Sequence, residues 1–382
     1  MSGHPLTQPV TSSRMRFFTS KSSIPMPHPP QMSNKGNYII SLSQFTAWLG
    51  GIADELGVEV YPGFAGASLV YGDQGEVRGV TTNEVGLDKQ GYMKDNFEAG
   101  MRFLAKVTLL AEGAHGSLSK SVINRFDLRR DADPQTYGMG IKEVWRVDES
   151  QYRPGEVVHT MGWPLDWKTY GGGWVYHMAD GLVSLGLVVG LDYANPYLSP
   201  YQEFQVRVSW SLQRVCLENH SQRMKHHPYF SKLLANGERL AYGGRTLNEG
   251  GLQSIPKLHF PGGALIGCSA GFVNVPKIKG THNAMKSGII AAETAFRVVE
   301  GSSDMSVYEE NLKKSWIYDE LREVRNLRPS FNTPLGIWGG LAYSGLDSLV
   351  LKGRVPWTFR TKTSDAAHTK RTRYGSRNTT KP

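Results

Sequence analysis

Between residues 262 and 293 the chain reads GGALIGCSAGFVNVPKIKGTHNAMKSGIIAAE. A short apolar strand, Ala264 to Gly267, runs into a turn carrying Gly267, Cys268 and Gly271. A loop follows, then a helix opened by Gly280 and Thr281. That order lets a backbone approach a cofactor closely. Glycine has no Cβ, and the first N–H groups of a helix have no intrahelical acceptor. The positive end of the helix dipole suits an electron-rich ring edge such as a flavin pyrimidine, most of all when reduced and anionic. Ala291 and Ala292 suit tight helix packing. Taken alone, the segment also reads as a plain strand–turn–helix. A second stretch, LAEGAHGSLSK at 110–120, ends a strand in Glu112-Gly113 and opens another helix. An acid there can accept from a pair of ribityl or ribose hydroxyls, the alternative being a capped turn. His226 and His227 are adjacent and cannot share a helix face, so capping or surface use outweighs metal binding. No Ser/His/Asp or metal-ligand spacing occurs, and no residue is assigned as catalytic or as a metal ligand.

Elements must hold these turns. Leu42, Phe45, Trp48, Leu49, Ile52 and Leu56 form one stripe at helical spacing, closed by Gly57. Residues 58–62, 67–71 and 77–81 read as short strands, the last two joined by a hairpin turn at Gly72-Asp73-Gln74-Gly75. Lys106 to Ala111 is almost continuously apolar, as a parallel strand buried on both faces should be. From 136 to 200 aromatics and β-branched residues alternate with turn glycines, predicting antiparallel strands at 138–146, 157–163, 172–177 and 183–190. Helices are expected at 281–300 and 305–322. Residues 334–351 are apolar but hold four glycines and Asp347. They predict a segment lying on or in one leaflet without spanning, anchored by Arg354, Trp357 and Arg360, with a buried core helix as the alternative.

The chain has 382 residues, 40% hydrophobic and 20% charged, which excludes a wholly disordered or collagen-like protein. Of the net charge of +9, +8 lies in the last 32 residues, where nine Lys/Arg meet one acid, Asp365. A neutral body with a basic tail is not a nucleic-acid-binding pattern. Two cysteines, Cys216 and Cys268, exclude a disulfide scaffold and a four-cysteine zinc or iron–sulfur site within this chain. Residues 1–36 are Pro/Ser-rich and read as irregular. Within them RMRFFTSKSS, at 14–23, loosely fits a transit peptide without making a clear one.

Long runs carry a family resemblance: VEVYPG, AEGAHGSL, PQTYGMGIKEVW, HTMGWPLDWKTYGG, LGLVVGLDYANPYLSP, RTLNEGGLQSIPKLHFPGG, IGCSAGFVNVPKIKGTHNAMKSGIIAAE and PWTFRTKTSD. From about Pro5 to Lys370 the chain resembles electron transfer flavoprotein:ubiquinone oxidoreductase, above all its fungal members. The resemblance implies a mitochondrial flavoprotein on the matrix side of the inner membrane. It would take electrons from reduced electron transfer flavoprotein and pass them through FAD and a [4Fe–4S] cluster to ubiquinone. It implies FAD contacts at Glu112, Gly113, Gly267, Cys268, Gly271, Gly280 and Thr281. Cys268 stands where related flavoproteins commonly have Asp. It also implies a quinone-site loop at Thr169-Tyr170-Gly171-Gly172, with Gly171 and Gly172 letting the quinone head group come close. Partners implied are electron transfer flavoprotein, ubiquinone and a membrane surface, held monotopically, with no nucleic acid.

The expected fold is α+β: a partial FAD-binding, glutathione-reductase-like domain with an antiparallel-sheet quinone-binding domain. Its parts are 37–135 and 251–330 for FAD, 136–250 for ubiquinone, 331–360 at the membrane and 361–382 as a basic disordered tail. Three departures from the family pattern follow. No strand–GxGxxG–helix for the pyrophosphate is present, since Gly138-Met139-Gly140 has no third glycine. The C-terminal iron–sulfur module is missing, so both ends look cut, and neither tight FAD retention nor a cluster is expected of the chain as written. Val206 to Gln222 interrupts a run otherwise reading EFQ–RMKHHP, and a stretch opening in Val and closing in Gln can begin GT and end AG, as a retained intron would. The competing readings are a geranylgeranyl-reductase-like or hydroxylase-like flavoprotein and a catalytically inert truncated product.

Overall fold

The computed structural model describes residues 3–204 and 224–370. The stretch read as an insert, 206–222, and residues 371–382 lie outside them. In chain order the principal elements begin with a hairpin, β1 (Ser12–Phe18) and β2 (Ser23–Met26). Next is α1 (Leu42–Glu55), whose first turn is capped by the Ser41 hydroxyl accepting from Gln44 N. A small antiparallel sheet follows, β3 (Gly66–Tyr71), β4 (Val77–Thr82) and β5 (Arg102–Leu104). Then come β6 (Thr108–Leu110) and α2 (Ser117–Arg125). Four longer strands are β7 (Tyr137–Arg146), β8 (Glu156–Gly162), β9 (Gly171–His177) and β10 (Leu182–Gly190). β11 (Glu238–Asn248) rejoins them, and β12 (His259–Phe260) and β13 (Gly263–Leu265) return to β6. The last part is helical: α3 (Thr281–Val299), α4 (Ser306–Lys313), α5 (Trp316–Glu323) and α6 (Gly336–Leu346).

Seven strands form one sheet in the order β11-β7-β10-β9-β8-β1-β2. Every pairing in it is antiparallel except β8 with β1. Alternation puts Val158, Val175, Val183, Leu185 and Val189 on one face, where they form a core with Phe204 and Phe230. The second core lies around β6 and β13, a parallel pair covered by Leu118 and Val122 of α2, Ile290 and Ala291 of α3 and Tyr308 of α4. The α+β class read from the sequence agrees with these layers.

Four local expectations need correction. Residues 1–36 are not irregular throughout. β1 enters the large sheet beside β8, burying Met15 and Phe18, and Arg14 pairs with Glu156 at 3.3 Å. The segment with leader-like composition is therefore part of the sheet. Residues 58–62 form no strand, and Val58, Val60 and Tyr61 are exposed. The single helix expected at 305–322 is two, α4 and α5, separated at Lys314–Ser315. Residues 361–370 are tethered rather than loose: Thr361 N donates to Asp133, Tyr137 N to Asp365, and Lys370 N to Ala194 O at 3.0 Å.

Candidate functional site

Parallel pairing of β6 with β13 sets Leu110 opposite Leu265 and brings their following turns together. Ile266 N donates to Leu110 O at 3.1 Å, and Ser269 Oγ to Gly113 O at 3.3 Å. Glu112–Gly113 and Gly267–Gly271, which are over 150 residues apart in sequence, thus form one rim at the carboxyl ends of parallel strands, where ligands of open α/β sheets bind. The helix α3 abuts this rim. Gly267 N donates to Ser287 Oγ at 3.0 Å, and Ala284 Cβ lies 3.3 Å from where a Gly267 Cβ would stand. The first intrahelical bond runs from Ala284 N to Gly280 O, so the N–H groups of Thr281, His282 and Asn283 precede the ladder. Ala291 is buried as the tight-packing reading requires, while Ala292 faces solvent.

Side chains around the rim suit a polar, flat ligand. Gln135 accepts from Gly250 N through Oε1 at 2.7 Å, and its buried Nε2 has no partner. That Nε2 lies 2.8 Å from the position of a Cβ on Gly271, whose φ is +94°. Any side chain at 271 would be strained and would collide. Asn283 donates to Phe272 O at 2.8 Å and leaves its buried Oδ1 without a partner. A bare cradle with an orphaned donor and an orphaned acceptor fits the edge of an isoalloxazine ring. Burial pushes the Cys268 thiol above its ordinary value, only partly opposed by Arg245, so the thiol stays protonated. Glu112 is engaged elsewhere. Its carboxylate accepts from Leu118 N at 3.2 Å and from Ser119 N and Oγ at 2.6 Å, capping α2.

The loop leading to Gly280 is held by Glu320 of α5. Lys277 Nζ, His282 Nε2 and Asn274 Nδ2 donate to it at 2.6, 2.8 and 2.9 Å, and the His282 ring stacks on Trp316. Burial alone would raise the Glu320 carboxyl, but these donors hold it down at about 2.

Gly171 and Gly172 open β9. A Cβ on Gly171 (φ +157°) would stand 2.3 Å from Val188 O, and one on Gly172 2.4 Å from Thr160 O. Close strand contact therefore requires both glycines, which adds a packing reason to the expected ligand approach. The loop before them is fixed from two sides. Ile337 N of α6 donates to Trp167 O at 2.8 Å. On the other side the Arg328 guanidinium lies 4.0 Å from the Tyr170 ring centroid. Arg328 is buried and also donates to Asp192 at 2.8 Å, Glu249 at 3.2 Å and Asn332 at 3.0 Å. A pocket of about 190 Å³ lies between the β1–β2 turn, residues 162–167 and Ile337. Sequence reading missed Gln135, Glu320 and Arg328, whose partners are far away along the chain. The reading of His227 as a cap holds: its Nδ1 accepts from Tyr229 N at 3.2 Å.

The fold of this chain is shared with solved structures of other proteins. A geranylgeranyl bacteriochlorophyll reductase-like protein from Thermoplasma acidophilum superposes with a TM-score of 0.59 at 15% identity, covering 94% of this chain and 73% of that one. The flavin-dependent brominase Bmp2 gives 0.54 at 16% identity, covering 94% and 80%. At such identities the likeness is one of fold alone. Sequence is more specific. Residues 137–221 match the family model described as ETF-QO, ubiquinone-binding. The chain is 55% identical over 94% of its length to a probable electron transfer flavoprotein-ubiquinone oxidoreductase, mitochondrial, of Schizosaccharomyces pombe, and covers 55% of that protein. It is 51% identical over 95% of its length to the Bos taurus electron transfer flavoprotein-ubiquinone oxidoreductase, covering 58% of it. The family recognised from the sequence is thus the one to which nearly the whole chain aligns, and the chain spans somewhat more than half the length of these relatives.

Proposed function

We propose that this chain carries the flavin cradle and the ubiquinone-binding sheet of an electron transfer flavoprotein:ubiquinone oxidoreductase. Electrons would pass from reduced electron transfer flavoprotein through FAD to ubiquinone, with a [4Fe–4S] cluster in the whole relatives implied by the resemblance. The observation that carries the reading is the meeting of Gly113, Gly267, Gly271 and the start of α3 at one rim, next to the sheet matched as ubiquinone-binding. FAD would supply reversible two-electron storage that can also release electrons singly. Within this chain, Gly113, Gly267, Cys268 and Gly271 shape the cradle. Gln135 Nε2 and Asn283 Oδ1 offer the unpaired donor and acceptor, and Gly280–Thr281 present the helix end. Glu112 sets the turn through α2. The loop at Thr169–Gly172 would hold the quinone head group.

Membrane association has its own support. Over residues 335–350, α6 and its flanks, Leu335, Trp338, Leu346, Leu349 and Val350 are half exposed or more, whereas Ser344, Asp347 and Ser348 are buried along with Ile337. No helix among the described residues is long and apolar enough to cross a membrane. A monotopic seat on the inner mitochondrial membrane, matrix side, accounts for that face, and it puts the loop bonded to Ile337 next to the lipid where ubiquinone dissolves. The test has two parts. FAD titration should quench flavin fluorescence, and the dithionite-reduced mixture should be reoxidised by ubiquinone-1 faster than FAD alone. Leu335→Ser with Leu349→Ser should weaken binding to cardiolipin-containing vesicles by about tenfold or more. Absence of quenching sinks the flavin reading, and unchanged vesicle binding sinks the membrane one.

A further inference from the structure

We propose that His159 and Tyr176 form a buried proton relay serving a quinone held at the Gly171–Gly172 loop; this rests on the reading of that loop given above. His159 lies on β8 and Tyr176 on β9, two register positions apart, with Val157 opposite Tyr176, His159 opposite Trp174 and Thr160 opposite Gly173, so His159 is the member nearer the glycine pair. Their strand neighbours Val158 and Val175 point into the sheet core, so alternation turns His159 and Tyr176 to the other face. There His159 Nε2 and the Tyr176 hydroxyl are 2.8 Å apart, with the rings edge to face at 5.5 Å. The same two strands carry the glycine pair, Gly173 N donating across them to Thr160 Oγ1 at 3.1 Å. The charged or titratable groups facing His159 are Lys279 and His28. Lys279 directly precedes Gly280 and Thr281, so this face of the sheet lies towards the start of α3.

A hydrogen bond such as Trp174 Nε1 to Ser184 Oγ next door only fixes side chains. An imidazole joined to a phenol can also relay a proton: as one leaves at one end another enters at the other, so both groups end neutral. Burial, with help from Lys279 and His28, depresses the His159 imidazole to about 4, and burial raises the Tyr176 phenol. Both therefore stay neutral at neutral pH. Reduction of a quinone takes two electrons and two protons to give a quinol. The electrons come from the reduced flavin of the proposed function. For one of the protons, His159 breaks its Nδ1–H bond as the quinone oxygen forms an O–H bond. Tyr176 passes its hydroxyl proton to His159 Nε2, and the Tyr176 oxygen takes a proton from hydronium of the solvent, so both groups end neutral with the imidazole in its other tautomer.

The test uses the chain saturated with FAD, reduced anaerobically with dithionite and mixed with ubiquinone-1. Wild type should be reoxidised more slowly in D2O than in water. His159→Gln, which keeps a hydrogen bond but has no tautomers, and Tyr176→Phe should each reoxidise about 100-fold more slowly, with ubiquinone-1 binding unchanged. A readout independent of turnover is the ¹⁵N shift of His159 Nε2, which should report a neutral, hydrogen-bonded ring at pH 7 that Tyr176→Phe alters. Folded variants that reoxidise at the wild-type rate overturn the relay alone. A wild type that ubiquinone-1 does not reoxidise overturns the quinone reading, and the relay with it.

Discussion

The seven-stranded sheet and the stretch from α1 to β5 are built from similar apolar residues and treat them in opposite ways. In the sheet, Val175, Val183, Leu185 and Val189 are wholly buried, and charged groups at its end, Asp192, Glu249 and Arg328, are buried with partners. Between α1 and β5, Leu56, Val58, Phe64, Met93 and Leu104 are half exposed or more. Of the apolar stripe of α1 only Phe45 is buried. The neighbouring strand β6 pairs with β13 alone, so its second edge has no partner among the described residues, and the buried Thr108 Oγ1 is unpaired. An apolar pattern announces that a covering surface is needed. Whether the described residues supply it is a separate question, which only tertiary structure answers.

The comparison would break first at Arg328. Arg328→Met leaves Asp192 and Glu249 buried without their cation and should cost about 3–5 kcal/mol in urea unfolding. Adding Glu249→Gln should recover part of that loss, because the burial that already raises this carboxyl then falls on a neutral group. Next in size is Leu185→Ala, which empties a fully buried site and should cost about 3 kcal/mol, whereas Leu104→Ala should stay within about 0.5 kcal/mol. Equal losses at the two leucines would mean that the α1–β5 surface is covered in solution, by self-association or another partner.

Acid should separate the two regions by a smaller amount. His159 and His177 of the sheet are both held at about 4, chiefly by burial, and no histidine lies between 37 and 104. From about 6.5 down to about 4 the unfolded chain binds protons that the folded sheet does not. Stability is therefore constant above that window and is lost as pH falls through it. His159 alone should cost about 2 kcal/mol on going from pH 7 to pH 5. His159→Gln, though less stable at pH 7, should lose correspondingly less on acidification. An unchanged pH slope in that variant would show that the imidazole is not held neutral.

What the sequence made legible was local. The hairpin at 72–75 and the strands from 138 to 190 follow from turn glycines and alternation, and the two turns that meet at the rim from glycine spacing. β1 escaped for a physical reason. It buries Met15 and Phe18, three residues apart, while Phe17 turns outward to pack on Trp338 at 5.6 Å, so the period of two is broken. Its arginines then looked like a leader. Glu320, Gln135 and Arg328 were invisible because a buried polar residue is explained by its partners: those of Glu320 lie 38–46 residues away, that of Gln135 115, and the two carboxylates on Arg328 79 and 136. Residues 58–62 were misread in the other direction. Their strand pattern is real, but a strand also needs a partner to bond, and these residues pair with no strand.

A small effect is expected at Glu112, and it decides between two roles for one carboxylate. In the structure it accepts from Leu118 N and Ser119 N and so fills two of the orphan donors of α2. The sequence reading had the same carboxylate accepting from hydroxyls of a bound ribityl or ribose group. Glu112→Ala removes both possibilities and should cost about 1 kcal/mol of stability through the cap alone. Glu112→Gln keeps one acceptor oxygen but brings an NH2 group towards two N–H donors, so it should lose part of that amount. Unfolding of both variants with and without saturating FAD separates the roles. A cap acts on the folded chain whether or not FAD is bound, so the loss is the same in both conditions. A carboxylate that also holds FAD loses binding energy on top of the cap, and the gap between wild type and variant then widens as FAD is added.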